Sequence, residues 1–103
     1  MSYRIVRTEK ADAQIRDIIL YRAEVTGSTD AALKLLDKFE SDVRQLAVFP
    51  ESGSPPRYTA LRVRGYRVLI IEKYLFFYKV DHDKKTVTIH AVVDGRRDYL
   101  NLI

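Results

Sequence analysis

The chain has 103 residues, 47% of them hydrophobic, and no cysteine. That length suits one domain spanning residues 1–103, and the lack of thiols excludes disulfides, thiolate metal sites and a cysteine nucleophile, which fits a reducing cytoplasm. The formal charge of +4 is unevenly placed: the segment up to Pro56 carries 8 basic and 9 acidic residues, the segment from Arg57 onward 10 and 5. The positive field therefore belongs to the C-terminal half, where it suits an anionic partner or forms a solvated basic face.

No apolar run approaches the roughly 18 residues that span a bilayer, and Met1 to Arg7 alternates instead of forming the apolar block of a secretion signal. No membrane role and a cytoplasmic location are expected. Tyr3, Arg4, Ile5 and Val6 predict a short first strand, and Thr8 offers a hydroxyl to cap a following helix. In that helix Ala11, Ile15, Ile18 and Val25 fall on one side, interrupted by Arg22, and Gly27 supplies the stop. A second helix begins after Ser28-Thr29-Asp30, carries Ala32, Leu36, Phe39, Val43 and Leu46 on one stripe, and ends near Phe49-Pro50. So short a connection makes the two helices an antiparallel hairpin whose apolar stripe must lie on something else.

Pro50 to Pro56 collects most of the breakers and reads as a loop. Beyond it Tyr66–Ile71, Tyr74–Val80 and Thr86–Val93 are rich in β-branched and aromatic residues. Glu72-Lys73 and Asp81 to Lys85 separate them at hairpin lengths, which predicts an antiparallel meander joined by the first strand. The expected class is α+β, in the order β-α-α-β-β-β, with the helical hairpin on one face of a small, mainly antiparallel four-stranded sheet and a short C-terminal helix or tail.

Tyr74-Leu75-Phe76-Phe77-Tyr78-Lys79-Val80, then Val87 to Val93, then Asp94-Gly95-Arg96-Arg97-Asp98-Tyr99 resembles the closing signature of the RelE/ParE toxins of type II toxin–antitoxin systems. There an aromatic strand and a hydrophobic strand precede a terminal Gly-Arg-Arg-Asp element. The N-terminal strand, the helix pair and the Pro-rich loop extend the resemblance over nearly the whole chain. It implies a toxin silenced by a cognate antitoxin that lays an extended and helical segment over it, for which the outer groove of the helical hairpin is a natural seat. It also implies one of two targets: RelE-like members cut messenger RNA on the ribosome, and ParE-like members poison DNA gyrase. No cofactor or metal is implied.

Metal-free RNA cleavage needs an activated 2′-hydroxyl, a neutralised phosphate and a protonated leaving oxygen, so cations must crowd one pocket. By the resemblance, a ribonuclease would carry an arginine after Tyr74 and basic residues on the second strand. Leu75, Tyr66 and Val68 stand there instead, and only Arg97 and Tyr99 carry over as catalytic residues of a ribonuclease. The chain thus leans to the ParE branch, a gyrase-binding toxin, with the ribosome-dependent endoribonuclease as first alternative and a non-toxic partner-binding relative as second.

Strand parity places Tyr74, Phe76, Tyr78 and Val80 on one face and Leu75, Phe77 and Lys79 on the other. If the first row faces the helices, the outer face bears Leu75, Phe77, Tyr66, Val68 and Ile70, either as an exposed protein-contact surface or beneath a cover made by Tyr99 to Ile103. Arg96 and Arg97 either reach a target or pair with Asp94 or Asp98 to pin the terminus. The expected target-contact set is Arg96, Arg97, Tyr99, Leu75, Phe77 and Tyr66. Arg62, Arg64 and Arg67 read as a solvated basic face. His82 reads as part of a solvated turn, and His90 as a half-exposed sheet residue.

Overall fold

A computed structural model describes residues 2–103. Strand β1 (Arg4–Arg7) leads into helices α1 (Glu9–Thr26) and α2 (Thr29–Arg44), the latter extended by a 3-10 turn over Gln45–Ala47. A short helix α3 (Thr59–Val63) precedes strands β2 (Arg67–Ile71), β3 (Tyr74–Asp81) and β4 (Thr86–Asp94), and a 3-10 turn closes the chain at Leu100–Leu102. Among the described residues no helix is long and apolar enough to cross a membrane.

Both long helices begin where a hydroxyl can take up free amides. Thr8 Oγ1 accepts from Ala11 N–H at 3.1 Å, and Ser28 Oγ from Ala31 N–H at 3.1 Å. Gly27, at φ 64°, ends α1 in the left-handed region that glycine enters without cost. The helices pack as the expected hairpin, and Ala11, Ile15, Leu35, Phe39 and Leu46 close on Ile71, Tyr74, Phe76, Tyr78, Val87, Ile89 and Val92. Phe39 sets its ring edge-on to Phe76 and Tyr74, at 4.9 and 5.4 Å between centroids.

The expected stripe of α1 reaches too far. Val25 is 64% exposed. Arg22, which breaks the stripe, meets Glu72 in the β2–β3 turn at 3.2 Å, so the residue one turn further on lies beyond the sheet. In α2 it is Leu35 that is deeply buried, with Leu36 only partly so.

The sheet order is β1-β4-β3-β2, with β1 parallel to β4 and the other pairs antiparallel. Phe77 sits opposite Ala91 and Tyr78 opposite Ile89, so His90 is an extra residue in β4 without a partner on β3. This bulge shifts the parity of the strand. Val87 and Ile89 face the helical hairpin before it, whereas Ala91 and Val93 face the other way after it.

The other face is covered too, so the sheet lies between two layers. Leu61 from α3 and Tyr99 from the terminal segment join Tyr66, Val68, Phe77, Ala91 and Val93 in a second core, with Tyr58, Leu75 and Ile103 packed around it. Helix α3 was not expected: five residues show less than two turns of periodicity, and Leu61 alone marks its buried side.

The loop from Pro50 to Pro56 is tied down along the free edge of β2. Ser54 and Val68 exchange backbone hydrogen bonds at 2.8 Å in both directions, and the Arg67 guanidinium donates to the carbonyls of Glu51 and Gly53. Arg67 is therefore a clamp on this loop and not part of a solvated face. Gly53 donates its N–H to the Tyr78 hydroxyl at 3.0 Å, and a Cβ there would lie 2.5 Å from the Val68 carbonyl oxygen and 2.6 Å from that hydroxyl. The β3–β4 turn is anchored as well: His82 Nε2 lies 2.9 Å from a Glu51 carboxylate oxygen and Nδ1 2.7 Å from the Tyr3 hydroxyl. His82 stays exposed in this turn, as expected, with both ring nitrogens engaged.

The steric limit at Gly53 predicts that Gly53→Ala lowers stability by about 1–3 kcal/mol, the usual cost of forcing atoms into filled space. Chemical denaturation should show the shift at an unchanged m-value, and a variant as stable as the parent would contradict the close approach.

Candidate functional site

The Gly-Arg-Arg-Asp element follows β4 directly and turns on Asp94. Its carboxylate accepts from Arg96 N–H at 2.9 Å and from the Arg96 guanidinium at 3.3 and 3.2 Å, with Lys73 Nζ at 3.8 Å. Hydrogen bonds from Arg96 hold the Asp94 carboxyl below its ordinary value, and the same pairing raises Arg96. Gly95 donates its N–H to the Lys73 carbonyl at 2.8 Å, and a Cβ there would press on Leu75 at 3.1 Å. A side chain at this position would have to displace Leu75 by a few tenths of an ångström, because the turn lies close against β3.

The two arginines differ in their pairing. Arg96 pairs with Asp94 and pins the turn. Arg97 is exposed and takes part in none of the ion pairs formed among the described residues. It stands on the rim of a groove of about 900 Å³ between α1 and the ends of β3 and β4, floored by Ile18, Tyr74, Val92 and Leu102 and edged by Tyr21 and Lys73.

The aromatic members of the expected contact set lie elsewhere. Phe77, Tyr66 and Tyr99 are 0%, 7% and 3% exposed. Tyr99 packs against Phe77 at 5.5 Å and Tyr58 at 5.6 Å, and Tyr66 sets its edge to Phe77 at 6.3 Å. Leu75 is half-buried beside them. Between an exposed apolar face and a covered one, the structure has the covered one, and α3 adds a lid to the terminal segment. Of the expected apolar row, Ile70 is open, at 61% exposure. Of this set Arg96 and Arg97 are the exposed members, while Tyr66, Phe77 and Tyr99 are buried in the second core.

Gln14 is the site residue that sequence reasoning missed. Its side-chain oxygen accepts from Val92 N–H at 2.7 Å, and its nitrogen donates to the Leu102 carbonyl at 3.2 Å. It lines the same groove and ties the end of β4 to the terminal turn. A polar residue between the apolar positions of an amphipathic helix carries no signal of its own, and only its distance from a strand amide reveals it.

His90 lies on the outer face with its ring edge-on to Tyr66 at 5.6 Å. The bulge leaves its carbonyl free, and the Thr8 hydroxyl donates to it at 3.2 Å. Burial first, and then the charges of Lys79, Lys10 and Arg64, hold the imidazole below its ordinary value.

Two outcomes are expected. Gln14→Leu strands the Val92 amide, at a cost of about 1–3 kcal/mol, which thermal unfolding measures and faster hydrogen exchange at Val92 localises. For His90 the unfolded chain takes up a proton at higher pH than the folded chain does. Its contribution to stability is therefore complete above about pH 6.5 and lost as pH falls through that value toward the lower folded one. Denaturation midpoints should decline over that window, and His90→Gln should flatten the decline; an identical pH profile in the variant would contradict the assignment.

The model of the family described as "ParE toxin of type II toxin-antitoxin system, parDE" matches residues 5–99. No curated protein matches the chain. Among solved structures, the chromosomal ParDE toxin–antitoxin system from P. aeruginosa is similar at a TM-score of 0.73 and 21% identity, covering 90% of this chain and 96% of that one. The RelBE2 toxin–antitoxin complex from Mycobacterium tuberculosis is similar at 0.62 and 18%, covering 91% and 99%. Both likenesses concern the fold, a four-stranded mixed sheet with packed helices. The family match runs from β1 to the end of the Gly-Arg-Arg-Asp element, and the chain belongs to the ParE toxins of type II toxin–antitoxin systems.

Proposed function

We propose that the protein arrests growth by binding DNA gyrase, and that a cognate antitoxin holds it inactive in the cytoplasm. The observation that carries this reading is the state of the positions where a ribonuclease would need charge. Tyr66 and Val68 belong to a closed apolar core and Leu75 packs at its margin, so none of these three positions supplies a cation to a scissile phosphate. What the chain offers instead is a surface: Arg97 free on the rim of an apolar groove, beside an Arg96 already oriented by Asp94. An exposed guanidinium next to apolar area is typical of residues that dominate protein contacts.

The antitoxin reading is supported by the family and by the ParDE and RelBE2 complexes that share the fold. The helical hairpin exposes Leu20, Tyr21 and Leu33, apolar side chains suited to an amphipathic partner segment.

Supercoiling by purified gyrase, measured with and without the full-length protein, tests the proposal. Inhibition is expected, weakened about tenfold by Arg97→Ala, as loss of a contact worth about 1.4 kcal/mol implies. Unchanged supercoiling together with unchanged gyrase-linked DNA breakage would refute it. Site-specific cleavage of translated messages, abolished by Arg97→Ala, would establish the ribonuclease instead, and normal growth on induction without antitoxin would point to a non-toxic binding relative.

A further inference from the structure

The groove between α1 and the ends of β3 and β4 bears more positive charge on one wall than the chain itself answers. Lys73, Arg96 and Arg97 stand on the side of the two turns. A single carboxylate, that of Asp94, serves two of them, at 3.8 Å from Lys73 Nζ and 3.2 Å from the Arg96 guanidinium, and Arg97 has no acidic partner among the described residues. The opposite wall, α1, contributes one acid, Asp17, which is exposed and joins none of those ion pairs. Positive charge thus lies along one side of an apolar floor and a lone negative charge along the other.

The cationic wall is held firmly. Glu72, at φ 56°, occupies the left-handed region, which a residue other than glycine keeps only where its surroundings enforce it. Here the Arg22 guanidinium holds the Glu72 carboxylate at 3.2 Å, and the Gly95 N–H donates to the Lys73 carbonyl at 2.8 Å. Lys73 is thereby fixed at the edge of the groove, its Nζ 5.5 Å from the Tyr74 ring centroid. The floor is fixed as well, since Gln14 accepts from the Val92 N–H and donates to the Leu102 carbonyl. With those backbone groups satisfied, a strand cannot pair with them, and an occupant is recognised through its side chains. Tyr74 is buried, so the floor offers apolar area from Ile18 and Leu102 but no open ring on which a nucleobase could stack.

We propose that this groove receives an acidic segment of the target protein, with an apolar side chain seated on Ile18 and Leu102 and carboxylates against Lys73 and Arg97. An apolar anchor flanked by opposite charges is what the two walls and the floor complement together. Asp17 sets the direction, because it repels the acids of the segment toward the turns. The inference rests on the reading of the protein as one that binds DNA gyrase, and it adds Lys73, Leu102 and Asp17 to the residues that decide the contact.

The affinity of the labelled full chain for purified gyrase, measured without DNA, tests it. Leu102→Ser is expected to weaken binding about tenfold, through loss of a seated apolar side chain, and Lys73→Gln about threefold. Added salt should weaken the parent more than Lys73→Gln. Asp17→Asn should tighten binding about twofold, because a like charge leaves the site. Misfolding cannot produce a gain in affinity, so Asp17→Asn decides if either of the other variants unfolds. A parent that binds no gyrase overturns the gyrase reading and this inference together. A parent that binds while Leu102→Ser keeps the parental affinity, or while Asp17→Asn shows no gain, overturns the groove and leaves the gyrase reading standing. Loss of antitoxin binding or of self-association in Leu102→Ser, with gyrase affinity unchanged, would hand the groove to the antitoxin or to a second copy of this chain. A short DNA duplex that competes with gyrase for the parent, and loses affinity equally in Leu102→Ser, would overturn the proposal in favour of nucleic acid.

Discussion

The extra residue in β4 is the constraint from which the remaining architecture follows. Without it, Val87, Ile89, Ala91 and Val93 would all point to one side, and only one face of the sheet could be closed. With His90 inserted, the same strand closes the larger core with its first half and the smaller core with its second. A bulge leaves backbone groups to be satisfied elsewhere, and α1 supplies the partners. Thr8 caps the helix with one side of its hydroxyl and meets the His90 carbonyl with the other; Gln14, less than two turns on, takes the Val92 amide. The helix is thus registered on the sheet by hydrogen bonds as well as by Ala11 and Ile15, and the groove beside it inherits a fixed floor.

Charge is distributed along the same division. On the side of the terminal turn, three cations are matched and Arg97 is not: Lys73 and Arg96 share Asp94, and Arg22 reaches Glu72. Over the second core they are not, and Arg64 and Lys79 rest on an aromatic ring in place of a carboxylate. Matched charges shape a turn at small net energy, whereas a cation over a ring keeps its charge and gains only a modest attraction to the ring face. One small sheet therefore presents two chemically different faces to its surroundings, an apolar groove with a single free guanidinium and a cationic cluster.

Periodicity and punctuation carried most of the fold. The cap at Thr8, the stop at Gly27, the three C-terminal strands and the parity of Tyr74 to Val80 could all be read, because each depends on residues close in sequence. The parts that could not be read depend on encounters across the chain. Val25 obeys the helical stripe, yet what matters is where the sheet beneath it ends. Helix α3 is too short for a pattern, and the shift at His90 looks in sequence like one more position of an alternating strand. At the site, the Gly-Arg-Arg-Asp element was visible, but the division of labour between Arg96 and Arg97 rests on the distance to Asp94. The apolar outer row was foreseen with its cover left open, and that cover decides whether Tyr66, Phe77 and Tyr99 meet a partner or one another.

The parallel pairing of β1 with β4 also bears on how the protein is made. Arg4 sits opposite Thr86 and Arg7 opposite Ile89, so the sheet joins the first strand to the last across some eighty residues. During synthesis the helical hairpin emerges early with its apolar stripe uncovered, and no strand can close it until β3 and β4 have left the ribosome. Loop closure over such a separation must precede the contacts that reward it. The nascent toxin therefore stays unfinished until its final segment is translated, and a chain cut short anywhere before Val93 lacks the strand that both cores share.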